Sequence, residues 1–122
     1  MGQASDNYTL EERTAKFGES VILFCKRLHK DRILDPLVNQ IVRSATSIGA
    51  NYMEANGASS RKDFQNKIYI CKKEAQETKH WLRMIAAHNN SRKEEIRVLW
   101  QEAQELTLIF QKITMSLKEK GN

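Results

Sequence analysis

The chain has 122 residues, enough for one domain that buries its own core without a disulfide or metal staple. One proline and five glycines among plentiful Leu, Ile, Ala, Glu, Lys and Gln favour long helices over strands joined by turns. The 20 Lys and Arg against 15 Asp and Glu leave +5, which permits contact with nucleic acid or another acidic surface without requiring it.

No run of about 18 apolar residues occurs, so no membrane contact is expected. The opening MGQASDNYTL lacks an apolar core of signal-peptide length, and a cytoplasmic protein is expected. Gly2 stands in only a loose myristoylation pattern, with Asp6 where Ser or Thr is wanted. Residues 1–8 read as a disordered leader. Cys25 and Cys71 lie in apolar periodic stretches without zinc-site spacing and read as reduced core thiols.

The first predicted helix, about 9 to 29, carries Leu10, Thr14, Phe17, Val21, Phe24 and Leu28, the least clean apolar row of the four. A polar link follows, in which Ile33 and Leu34 are placed to plug the end of a bundle. Asp35 and Pro36 read as N-cap and first helical residue, because proline's fixed φ suits a first turn. From there Val38, Ile41, Ala45, Ile48, Tyr52 and Ala55 are spaced 3, 4, 3, 4, 3, giving a helix of about 36 to 56 that closes on a left-handed Gly57. Phe64, Ile68, Cys71, Ala75, Thr78, Leu82 and Ile85 alternate 4 and 3 through a third helix of about 60 to 88. Ile96, Leu99, Ala103, Leu106, Phe110, Ile113 and Leu117 do the same through a fourth of about 91 to 119. Ser60 with Asp63 and Ser91 with Glu94 form capping boxes at the starts of the last two. Short links and rows of period 3.5 specify an all-α, antiparallel up-down-up-down four-helix bundle.

Two faces exceed what one bundle's core requires. On the second helix Val42, Thr46, Gly49 and Met53 form a small or apolar flank, while its charges, Arg43 and Glu54, point away from the core. Ile70, Trp81, Tyr69 and Met84 add outward apolar bulk on the third. Val42, Arg43, Thr46, Gly49, Met53, Glu54, Ile70 and Trp81 are therefore the candidate homo-oligomer interface; the plainer reading is a helix sunk deep in its own bundle. The third helix also sorts charge by sign. Arg61, Lys72, Lys79 and Arg83 share one stripe with Gln65 and Gln76 between them, and Asp63, Glu74 and Glu77 occupy the far flank. This stripe is the candidate seat for nucleic-acid phosphates or an acidic protein; the plainer reading is a solvated face paired to acids on the first or fourth helix.

Catalytic motifs for nucleotide binding, nucleophilic hydrolysis or metalloproteolysis do not occur, so no enzyme activity and no cofactor is expected. Glu77-Thr78-Lys79-His80 is one copy of a pattern that a di-iron bundle needs twice, and no metal site is assigned. His29 and His88 sit beside helix ends, suited to capping; Glu11-Glu12 and Glu94-Glu95 occupy first turns, where negative charge is favoured.

The stretch Arg43-Ser44-Ala45-Thr46-Ser47-Ile48-Gly49-Ala50-Asn51-Tyr52-Met53-Glu54-Ala55, then Phe64, then Lys73 to Leu82 resembles the bacterial four-helix-bundle family named for proteins encoded in intervening sequences of 23S ribosomal RNA genes. Arg43, Ser47, Ile48, Asn51, Glu54, Phe64, Glu74 and Leu82 match the family's pattern, whereas the glycine that usually follows the glutamate is Ala55 here, so that glycine is lost or displaced to Gly57. The resemblance spans about 9 to 119. It implies a pentameric ring without enzymatic activity, and a related branch, the accessory proteins of diversity-generating retroelements, forms basic barrels that bind reverse transcriptase and nucleic acid. In that setting Arg43 and Glu54 are expected at a cross-protomer polar contact, with Ser47 and Asn51 hydrogen-bonding backbone. The sequence thus leads to a homo-oligomer whose basic face binds RNA or DNA, structured RNA above all, or a nucleoprotein such as a reverse transcriptase. The alternative is an adaptor that docks an acidic protein.

Overall fold

The computed structural model describes residues 9–89 and 91–121, so the expected leader at 1–8 and Asn90 of the third link lie outside the described residues. Four helices follow one another: α1 Leu10–Lys26, α2 Leu34–Asn56, α3 Arg61–His88 and α4 Lys93–Gly121. Each packs on its neighbour in sequence, and α4 returns to α1 through the least extensive of the four contacts, which closes an antiparallel four-helix bundle.

The rows of alternating 3 and 4 spacing form the core. Phe24, Ile41, Ala45, Ile48, Ile68, Cys71, Ala75, Leu82, Ile85, Ala103, Leu106 and Phe110 are fully buried. Tyr52 reaches across the interior to Phe110, ring centroids 5.9 Å apart. Between α2 and α3 the row admits two hydroxyls: Ser44 and Thr78 lie 2.8 Å apart, and each also donates to, or lies in reach of, its own helix's carbonyls at Ile41 and Glu74. Small residues bring α1 close to α2. A Cβ on Gly18 would stand 3.5 Å from the Thr46 backbone, and one on Gly49 would stand 3.4 Å from Thr14 Oγ1.

Helix ends depart from the sequence expectations in four places. First, α1 stops at Lys26 rather than near 29, because Arg27 and Leu28 N–H turn back to Phe24 and Cys25 carbonyls and drive Leu28 into the bundle end. Second, α2 begins at Leu34, ahead of Asp35-Pro36. Asp31 is the effective cap: its Oδ1 accepts from Leu34 N–H at 2.7 Å and its carbonyl from Asp35 N–H at 3.0 Å. Pro36 then falls inside the first turn, Leu34 plugs the bundle end as expected, and Ile33 stays exposed. Third, Gly57 closes α2 with φ −101°, not in the left-handed region, because Gly57 and Ala58 N–H tighten onto Glu54 and Ala55 carbonyls. Fourth, Ser60 caps α3 through Asp63 N–H at 3.0 Å as expected, whereas Ser91 precedes α4 with its N–H on Asn89 Oδ1 and Glu94 turned to Arg97. Thr9 Oγ1 accepts from Glu12 N–H and starts α1.

Candidate nucleic-acid interface

The helix register that sends Ile68, Cys71, Ala75, Thr78 and Leu82 inward sends Tyr69, Lys72, Gln76, Lys79 and Arg83 along the flank toward α4. Facing them is a row on α4 with spacing 4, 4, 3, 4, 3: Trp100, Gln104, Leu108, Gln111, Met115 and Lys118. The two rows meet through neutral acceptors. Lys72 Nζ donates to Gln111 Oε1 at 2.8 Å, Lys79 Nζ to Gln104 Oε1, and Arg61 reaches the Leu117 carbonyl at 3.4 Å. Lys72 also stands 5.1 Å from the Tyr69 ring centre and Lys79 5.2 Å from that of Trp100, both within cation–π range. Arg83 is exposed. Neither row contains an acid, and among the described residues none of the four basic side chains is salt-bridged to a carboxylate. Amides and aromatic rings hold the ammonium groups in place while leaving their charge uncancelled.

The acids serve other junctions. Glu102 and Glu105 of α4 both bind Arg13 of α1, at 2.7 and 2.8 Å, and hold its guanidinium well above its ordinary range. Glu95 accepts from Arg27 at 3.2 Å and from Arg92, and Arg92 also satisfies the Arg27 carbonyl that the end of α1 leaves open. On the α2–α3 junction Arg43 bridges Glu74 and Glu77, Glu77 accepts from Trp81 Nε1 at 3.1 Å, and Glu54 accepts from Lys67 at 2.7 Å. Arg43 and Glu54 thus find their partners within the chain. Ser47 Oγ and Asn51 Nδ2 bond the Arg43 and Ser47 carbonyls of their own helix.

The residues expected at a subunit interface divide between two sides of α2. Arg43, Glu54 and Trp81 belong to the α2–α3 junction, with Ile70 on the same flank of α3 as Glu74 and Glu77. Thr46, Gly49 and Met53 line a cleft of about 360 Å³ together with Gly18, Ile22 and Ala50, between α1 and α2. Met53 is 58% and Ile22 40% exposed at its mouth, while Val42 is half-buried against the core. Gly49 admits α1, and its neighbours Thr46 and Met53 line an apolar opening. Leu23 and Val98 border a second cleft, of about 400 Å³, between α1 and α4.

Sequence reasoning missed the α4 half of the basic face. The signal is in the sequence of α4, whose row from Trp100 through Gln104, Leu108, Gln111 and Met115 to Lys118 contains no acid. His88, last in α3, lies 2.8 Å from Asp31 Oδ2 and helps to hold that carboxyl below its ordinary value, behind the larger effect of Leu34 N–H. Burial pushes the Cys25 thiol up to about 11 and Cys71 up to about 12, so both stay protonated and unreactive at neutral pH. No cluster of three metal-ligating side chains and no helix long and apolar enough to cross a membrane occurs among the described residues.

No curated protein matches the sequence. A solved structure matches with a TM-score of 0.78 and 30% identity, over 87% of this chain and 98% of that one: a protein with unknown function from the S23 ribosomal protein family of Bacteroides thetaiotaomicron VPI-5482. The family model described as 23S rRNA-intervening sequence protein matches residues 7–119, almost the whole chain and every helix described above. The chain belongs to the family of 23S rRNA-intervening sequence proteins.

Proposed function

We propose that this protein is a non-catalytic, cytoplasmic, oligomeric bundle that binds nucleic acid, structured RNA above all, along the α3–α4 face. The observation that carries the reading is the acid-free junction at which Lys72 and Lys79 are held by glutamines and aromatic rings rather than by carboxylates. Ammonium groups so placed keep their full charge for phosphates, the interaction that dominates nucleic-acid affinity. Arg61 and Arg83 extend the row at its two ends. Assembly through the α1–α2 cleft would repeat the face around a ring, pentameric in the family's pattern, and closed symmetry would join single stripes into a belt. A nucleoprotein, such as a reverse transcriptase with its RNA, would meet the same belt.

Filter retention of a structured RNA across a salt series tests the proposal. Binding at low salt whose log K falls linearly with log salt is expected. No retention at low salt, or retention independent of salt, contradicts it. If RNA is not retained but polyglutamate is, and replacement of Lys72, Lys79 and Arg83 by Glu abolishes that binding, the face belongs to an adaptor for an acidic protein.

A further inference from the structure

The α3–α4 face carries more than charge. Tyr69 is 56% and Trp100 40% exposed, large for aromatic side chains on a bundle, and each ring has one lysine ammonium near its face. The pairs Lys72–Gln111 and Lys79–Gln104 set Gln104 level with Lys79 and Trp100 one turn beyond it, so the two rings stand about fourteen residues of helix apart, on the order of 21 Å at 1.5 Å per residue. Tyr69 also lines a shallow cleft of about 170 Å³ with Gln65, Asn66, Thr114 and Lys118, whose amides, hydroxyl and ammonium are the groups that recognise base edges and phosphate. Between the rings the rows supply Lys72, Lys79, Gln104 and Gln111, with Leu108 exposed among them.

We propose that Tyr69 and Trp100 are stacking platforms for unpaired bases, so that the face takes single-stranded segments of RNA rather than its duplex stems. This rests on the nucleic-acid reading above and narrows its ligand. Paired bases present no free face to a ring on a convex helix surface, and the deep major groove of an A-form stem excludes such side chains. A base splayed onto either ring would set its phosphate beside the lysine that already accompanies that ring, so stacking and charge act on the same nucleotide. A separation of about 21 Å lies within the span of a short single-strand site of about four or more nucleotides. Stacking of this kind tolerates every base, and little sequence preference follows.

The test compares fluorescein-labelled oligouridylate of about twelve nucleotides with an RNA duplex of the same length by anisotropy. The proteins are the wild type, Tyr69→Ala, Trp100→Ala and Trp100→Phe, each checked for helix content and melting. The single strand should bind more tightly than the duplex. Each alanine variant should lose about tenfold on the single strand with its salt slope unchanged, and Trp100→Phe should retain most of the affinity. In a Trp81→Phe background the emission of Trp100 should be quenched by oligouridylate. Alanine variants that bind the single strand like the wild type, or a preference for duplex, overturn the stacking proposal while leaving the electrostatic reading intact. Absence of salt-dependent binding to either RNA overturns both. Should Trp100→Ala fail to fold, Tyr69→Ala and the quenching experiment decide.

Discussion

Ser44 and Thr78 show how little polarity the interior admits and how fully it is satisfied. Their hydroxyls meet at 2.8 Å in the α2–α3 contact, and Thr78 also bonds the Glu74 carbonyl. Ser44→Ala and Thr78→Val should each lower unfolding free energy by about 1 kcal/mol in urea. The double variant should cost less than the sum, since neither hydroxyl is then left facing an empty partner; strict additivity would show that the pair does not interact. At the surface, Asp31 ties the first link to the end of α3. Its folded-state value lies below the ordinary 3.8, first through Leu34 N–H and then through His88. A lowered value means that the stabilisation is present above the ordinary value and is lost as pH falls through the lowered one. Melting temperature should therefore fall less steeply with acid in Asp31→Asn than in the wild type from about pH 4 downward. Parallel curves would remove Asp31 from the acid response.

At the scale of the helix, periodicity decided the interior and chemistry at the ends decided the rest. All four apolar rows were legible because burial follows the 3.5 repeat, and Thr14, Cys71 and Thr78, polar types in those rows, are buried where the spacing puts them. The ends were less legible. Beyond its local bond to Leu34 N–H, Asp31 meets His88, 57 positions away, through its second oxygen, and Arg92 reaches the Arg27 carbonyl past the end of α1. Such partners are set by the fold and have no local pattern. Gly18 belongs to this scale too, a buried glycine inside α1 whose added Cβ would meet Thr46 and Ala45 at 3.5 to 3.6 Å, ordinary contact distances. Gly18→Ala should stabilise the protein by about 0.5–1 kcal/mol through helix propensity alone. Gly18→Leu should destabilise it, because the larger side chain must displace the α2 backbone. A loss of stability in the alanine variant would mean that α1 and α2 pack more tightly than these distances imply.

Across the whole molecule, charge is sorted by junction. Carboxylates bind arginines and lysines where α1 meets α4 and where α2 meets α3, and amides bind lysines where α3 meets α4. The sign sorting along α3 was readable from the sequence; the neutrality of what faces it was not, because the pairing of rows on different helices depends on their rotation about their axes. Arg43 and Glu54 meet α3, whereas Thr46, Gly49 and Met53, which the sequence places with them in one candidate interface, face the cleft beside α1. Assembly belongs to this scale: Met53→Lys, which puts a charge at the mouth of that cleft, should reduce the mass measured by light scattering to that of a 14.1 kDa monomer. A wild-type monomer would remove the assembly proposal. The central claim is that the α3–α4 face binds nucleic acid by uncancelled positive charge, and the salt dependence of RNA binding tests it most directly when the wild type is compared with a protein carrying Lys72→Glu, Lys79→Glu and Arg83→Glu. With about 0.7 of slope per phosphate contact on a single strand, the variant should lose about two units from the slope of log K against log salt, together with most of its affinity. A folded variant whose affinity and slope equal those of the wild type would contradict the account.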